Sequence, residues 1–165
     1  INYSTAGVTM VDTVTGFTAG TDIFGASNAA FTVGAGETAV SISDADGISL
    51  GITAAGGLTI TSSAVNVATD LATPNADILF LATAGATFAA AMGNNDRTVA
   101  AVGAGEAMLT TWYDSDTNEA VVQLTSADAG GNDINNASTF LEVTRIAMAA
   151  ADYTTANIDA SFSII

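Results

Sequence analysis

The stretch AVSISDADGISLGIT, residues 39–53, restricts what this chain can fold into more than any other. Val40 and Ile42 alternate with Ser41 and Ser43, Asp44-Ala45-Asp46-Gly47 interrupts, and Ile48, Leu50 and Ile52 then alternate with Ser49 and Gly51. Successive side chains of a strand point to opposite faces, so a period of two on both sides of a D-x-D-G turn specifies a β-hairpin. Later segments repeat the pattern. In GLTITSSAVNVATD, Leu58 and Ile60 are set against Val65 and Val67, and Met108, Thr110 and Trp112 alternate with Leu109, Thr111 and Tyr113. In the final IDASFSII, Ile158, Ala160, Phe162 and Ile164 fall on one face, with Asp159, Ser161 and Ser163 on the other. Thr and Val suit such half-buried pleated surfaces.

One segment departs from this period. ATFAAAM is built on Ala, the best helix former, and Gly93-Asn94 follows as a stop, which predicts a short α-helix over about residues 86–93. Ala149–Tyr153 reads as a single helical turn, and TPNAD, with the only proline, Pro74, reads as a connection. The expected fold is mostly β: an antiparallel β-sandwich or barrel-like stack with one short α-helix. Residues 1–165 form a single β-rich domain, with a subdivision near 71–76 between a strand-rich part (1–72) and a part with the helix and hairpins (77–165).

Composition removes most chemistry. The chain has no Cys and no His, and its two basic residues are Arg97 and Arg145, so there is no Lys. Ser–His, Cys–His and Ser–Lys nucleophile pairs, Schiff bases, thiolate zinc sites and imidazole-ligated metals cannot be built. Two carboxylates could in principle hydrolyse a glycoside, but Trp112 is the only tryptophan available as a sugar platform. The expectation is that the protein is not an enzyme. Seventeen acids against two bases give a net charge of −15, which repels nucleic acid and anionic membrane surfaces. No apolar run reaches the length of a membrane span, so no membrane insertion is expected. Hydrophobic residues make up 49% of the chain and charged residues 12%, enough apolar matter to form a core beneath an anionic surface.

The acids gather in turns. Asp114-x-Asp116-x-Asn118 places oxygen ligands at the first, third and fifth positions, as an EF-hand loop does. The sixth position is Glu119 where that loop needs Gly, the twelfth is Thr125 where it needs Glu, and the flanks read as strands. Asp44 and Asp46 form a second such turn, and Asp128, Asn132, Asp133 and Asn135 lie in a polar loop containing GGND. Each of these, taken singly, reads first as a solvated turn in which Asp and Asn bond their own backbone. Taken together on a chain of this charge, they point to at least one hard-cation site, with calcium as the candidate cofactor. Arg145 is placed to pair with Glu142 or with a turn carboxylate. Trp112 and Tyr113 read as anchors on a strand, and Met10, Met92, Met108 and Met148 as core filler.

Three patches carry a resemblance. VDTVTGFTAGTDIF (11–24) is similar to segments that adjoin the calcium repeats of RTX-type exoproteins, and AMLTTWYDSDTNEAVVQL (107–124) resembles a hairpin near the C-terminus of such bacterial exoproteins and of S-layer proteins. DASFSII resembles the acidic-then-apolar ends read by type I secretion. Tandem nonapeptide repeats are missing, so the resemblance does not extend to β-roll calcium binding. It implies an exported module, with Asp12, Asp22, Asp114 and Asp116 at matching polar positions.

The expected function is that of a secreted structural subunit of a bacterial cell surface. It would self-assemble with copies of itself into an extracellular filament or surface layer, through addition of a terminal strand carrying Ile158, Ala160, Phe162, Ile164 and Ile165. Calcium would stabilise it through Asp114, Asp116, Asn118, Glu119, Asp44, Asp46, Asp12 and Asp22. The alternative is a monomeric, calcium-stabilised C-terminal export and folding module of an adhesin or RTX-type exoprotein.

Overall fold

A computed structural model describes residues 12–26, 31–32, 39–48, 50–73, 75–93, 97–98, 106–127, 133–136 and 138–165. Met10, Pro74, Asp128 and Asn132 lie outside them. The strands are β1 (Asp12–Val14), β2 (Phe24–Ala26), β3 (Phe31–Thr32), β4 (Ala39–Ser43), β5 (Ile60–Ser63), β6 (Thr69–Asp70), β7 (Ile78–Leu81), β8 (Arg97–Thr98), β9 (Glu106–Asp114), β10 (Glu119–Thr125), β11 (Asp133–Ile134), β12 (Phe140–Ala147) and β13 (Phe162–Ile164). Two helices, α1 (Phe88–Met92) and α2 (Thr155–Ser161), and a 3-10 turn over Ala150–Asp152 complete the described elements. The fold is mostly β and sandwich-like, as its alternating pattern requires.

An eight-stranded sheet forms the centre, in the order β1-β12-β10-β9-β4-β3, with β7 also on β9 and β5 on β7. The β9–β10 hairpin is its axis, seven residue pairs from Glu119–Asp114 to Thr125–Met108. The far edge of β9 is shared end to end. Residues 106–108 pair with β4, and residues 109–111 pair with β7. Ala45 N donates to Ala76 O at 2.8 Å where the two neighbours meet. Segments on both sides of residues 71–76 thus contribute strands to this one sheet.

The sheet is mixed, which corrects the antiparallel expectation. β9, β10 and β12 run antiparallel, but β1 joins β12, β4 and β7 join β9, and β5 joins β7 in parallel. The D-x-D-G turn forms, yet no strand is described over 48–52. The returning segment meets β4 through two backbone bonds, Asp44 N to Ile48 O and Leu50 N to Ile42 O, and β4 uses its main pairings on β3 and β9.

Both faces of the sheet are covered, so side chains of either parity find apolar partners. On one face Ile78, Phe80, Leu109, Tyr113, Ala120 and Val122 pack beneath a small sheet of β2 and β13 and beneath α2, meeting Phe24, Ile158, Phe162 and Ile164. Tyr153 stacks on Phe80 at 4.3 Å between ring centres. On the other face Leu79, Leu81, Met108, Trp112 and Val121 meet Phe88, Ala91 and Met92 of α1, together with Leu71, Ala76 and Ile134. A second small sheet, β11-β8-β6, completes the described strands.

The helix α1 sits within the span expected for it. Thr87 Oγ1 accepts from Ala90 N at 3.1 Å as the N-cap, and Gly93, at φ +66°, closes the helix by donating from its N–H to Ala89 O. Arg97 is fully buried where α1 and β5 end. Its Nε donates to Ser63 Oγ at 2.8 Å, and its terminal nitrogens donate to Met92 O at 2.7 Å and Ala64 O at 2.8 Å.

Candidate functional site

The acidic turn between β9 and β10 is organised by one side chain. Asp114 Oδ1 accepts from Asp116 N at 2.9 Å and Thr117 N at 3.3 Å, the geometry by which an Asp closes its own turn. Asn118 takes the left-handed conformation, φ +57°, that Asn tolerates better than most residues, and its N–H donates to Asp114 O. Asp116 is exposed at the tip, and its described bond is made by its backbone N–H.

The second oxygen of Asp114 belongs to a guanidinium hub. Arg145 Nη1 lies 2.8 Å from Asp114 Oδ2 and 3.2 Å from Glu119 Oε2, and its Nε lies 2.6 Å from Glu142 Oε1. Nη2 completes a two-pronged contact on Glu142 at 3.2 Å. Strand geometry at first forbids the last pairing, because residues three apart face opposite ways. A β-bulge removes the obstacle. The register passes from Val122–Thr144 to Gln123–Glu142, leaves Val143 unopposed, and turns Glu142 onto the face of Arg145. Burial alone would raise the pKa of Asp114, but the bonds from Arg145 and from the Asp116 and Thr117 N–H groups outweigh it and hold the carboxyl below its usual range.

Arg145→Met should therefore cost about 2 kcal/mol at pH 7, because Asp114, only 7% exposed, loses its countercharge. A carboxylate with a depressed folded pKa adds stability above its unfolded value and loses it as pH falls through the folded one. The gap between wild type and variant should thus narrow below about pH 4, read from urea midpoints at a series of pH values.

The other acidic positions are placed separately. Asp44 Oδ1 accepts from Asp46 N and Ile48 N, and its Oδ2 accepts from Asn75 Nδ2 at 2.9 Å. Asp46 is exposed, and Asp22 Oδ2 caps its own turn by accepting from Thr18 N. The backbone of Asp12 pairs with Thr144 in β1, while its side chain lies outside the described set. Asp77, whose Oδ2 accepts from Thr59 N at 2.6 Å, is pushed up by burial and by the nearby Asp44. Among the described residues no three acidic side chains converge so as to hold a metal ion; the three that share a neighbour share Arg145.

The chain end differs from the extended strand expected for it. Ile158 and Ala160 belong to α2, not to a strand. Thr154 Oγ1 accepts from Asn157 N at 3.2 Å and starts the helix, which buries Ile158 and leaves Ala160 exposed. Phe162–Ile164 does form a strand, β13, parallel to β2, while Thr53 and Ile164 exchange backbone bonds on its other edge. Phe24, Ala26, Phe162 and Ile164 face inward. The outer face carries Ile23, Ile52 and Ile165, exposed by 63%, 88% and 56%. Ile52 opposes Ile165 by register with the Thr53–Ile164 pair, and Ile165 reaches over Gly25, whose missing Cβ leaves the room.

Sequence reasoning locates the acidic turn and Arg145 but misses this outer face, because the register of Thr53 against Ile164 spans more than a hundred residues. It also misses Gln123, the buried group that the Trp112 indole meets, for want of cross-strand register. No family model, curated protein or solved structure matches the chain.

Proposed function

We propose that the protein is a secreted structural subunit that self-assembles into an extracellular filament or surface layer, with the terminal sheet of β2 and β13 as the contact between copies. The observation that carries this reading is the exposed pair Ile52 and Ile165, set opposite each other by the Thr53–Ile164 bridge, with Ile23 also exposed at the other end of β2. Large aliphatic side chains exposed on one small sheet favour burial against a partner, each contributing about 1.5–3 kcal/mol when fully covered. Among the described residues β2 pairs on one side only, and its other edge is where a strand from a neighbouring copy would add. The contact propagates into a filament when this sheet meets a different surface of the next copy and the rotation between copies does not close. β13 itself is engaged within its own chain, so the assembly uses the sheet it completes.

The absence of thiol, imidazole and amine side chains agrees with a non-enzymatic role outside the cell. A net charge of −15 opposes contact between copies, and calcium or high salt relieves that repulsion. Assembly should therefore increase with ionic strength and with millimolar calcium.

The test is size-exclusion chromatography and negative-stain microscopy of the purified chain, with and without calcium. Ordered polymers are expected, and Ile52→Ser combined with Ile165→Ser should abolish them at a stability cost of about 0.5 kcal/mol per site, since both side chains are exposed. A wild type that stays monomeric in calcium, with a thermal midpoint raised by the ion, would instead favour the export and folding module of an exoprotein.

A further inference from the structure

The face of β9 and β10 beneath α1 contains a polar island inside the apolar layer. Thr110, Gln123 and Thr125 are each 0% exposed. Trp112 Nε1 donates to Gln123 Oε1 at 3.0 Å, and Gln123 Nε2 donates to Thr125 Oγ1 at 3.0 Å. Thr110 stands directly opposite Gln123 in the hairpin register, and among the described residues its Oγ1 has no hydrogen-bond partner. A buried hydroxyl without a partner is costly and calls for a reason.

We propose that Thr110 and Gln123 join in an intramolecular ester, a covalent cross-link between β9 and β10 formed by the folded chain itself. This inference stands apart from the assembly reading. Directly opposed residues of an antiparallel pair have their Cβ atoms about 4.5–5.5 Å apart, a gap that a threonine hydroxyl and a glutamine side chain together span.

Thr110 Oγ adds to Cδ of Gln123. Oε1 takes up the negative charge, and the indole N–H already directed at that oxygen stabilises it in a site closed to water. The C–N bond then breaks. As the C–O bond forms, the hydroxyl proton passes from Thr110 Oγ to the adjoining amide nitrogen of the same tetrahedral adduct, and ammonia leaves. One C–O bond replaces one C–N bond, and one O–H bond becomes one N–H bond. No oxidant, metal or further reactant takes part. Held in register, the two groups meet at the high effective concentration of an intramolecular reaction, and a single turnover per molecule is enough. Gln123 is the residue this chemistry needs: in a chain without Lys, no side-chain amine can form an amide cross-link.

The experiment is the intact mass of the full-length chain, unfolded after purification, followed by fragmentation. The expected mass is lighter than that of the sequence by one ammonia, with the fragment series interrupted between Thr110 and Gln123. Thr110→Val should restore the full mass, and Thr110→Ser should keep the loss. A wild-type mass equal to that of the sequence overturns the proposal. So does an ammonia loss that persists in Thr110→Val, which would be ring closure at an asparagine such as Asn118, and so does an interruption confined to Gln123–Thr125. Should Thr110→Val fail to fold, the wild-type mass and fragment map decide the matter alone.

Discussion

Arg97→Met should destabilise the protein by about 4 kcal/mol, measured as the shift in urea midpoint multiplied by the slope of the unfolding transition. The side chain is fully buried, and its nitrogens donate to Ser63 Oγ, Ala64 O and Met92 O. Methionine fills much of the same volume and supplies none of those donors. The acceptors lie in the interior, where each unmet hydrogen bond costs about 1–3 kcal/mol. Met92 O is also among the last carbonyls of α1, which have no partner within the helix, so Arg97 both terminates the helix and joins it to the end of β5. Arg97→Lys should recover only part of the loss, because an ammonium cannot reproduce the planar fork that reaches acceptors in three directions.

Gly85→Ala should cost about 3 kcal/mol and loosen α1 from the central sheet. Gly85 is buried where the chain enters the helix, and it bridges to the end of β9: its N–H donates to Tyr113 O at 3.1 Å, and Ser115 N donates to its carbonyl at 3.1 Å. A Cβ there would lie 2.7 Å from Ala91 N, 3.0 Å from Thr87 O and 3.1 Å from the Ala90 carbonyl carbon. All three are backbone atoms, so the clash cannot be relieved by a change of rotamer; helix or strand must shift. The single tryptophan reports the result. Trp112 packs on Phe88 of α1 with ring centres 6.5 Å apart, so its fluorescence and near-ultraviolet dichroism should change in the folded variant. An unchanged tryptophan signal together with an unchanged midpoint would count against this account.

The features legible in the sequence are those set by neighbours in the chain. The hairpin of β9 and β10 around Asp114 is written in a period of two and a turn of Asp and Asn, and α1 in its alanines and its Gly93 stop. Features set by distant partners are not legible in this way. The same alternation serves an antiparallel or a parallel neighbour, so nothing local says that β7 lies parallel to β9 or that β4 shares its edge. Nor does the pattern announce the bulge at Val143 that brings Glu142 to Arg145. At the chain end two local signals compete. Ile158, Ala160, Phe162 and Ile164 alternate as a strand does, but Thr154 offers a cap and Ala156 and Ala160 favour a helix, and packing of Ile158 against the sheet decides for α2. The turn carboxylates of Asp44 and Asp114 are legible as turn formers, while their other oxygens go to Asn75 and Arg145, partners far away in the chain.

The placement of the two arginines has a consequence for survival among proteases. A trypsin-like enzyme cuts after Lys or Arg, which leaves it the bonds following Arg97 and Arg145. The first lies in β8, flanked by β6 and β11, and the second in β12, flanked by β1 and β10. At both sites backbone bonds to a strand on either side hold the chain, two residue pairs per neighbour at β8 and longer ladders at β12, and these must part before a protease cleft can take the bond. Digestion must then wait for the sheets to come apart, so its rate measures how often a molecule opens and hardly at all how much enzyme-accessible loop it displays.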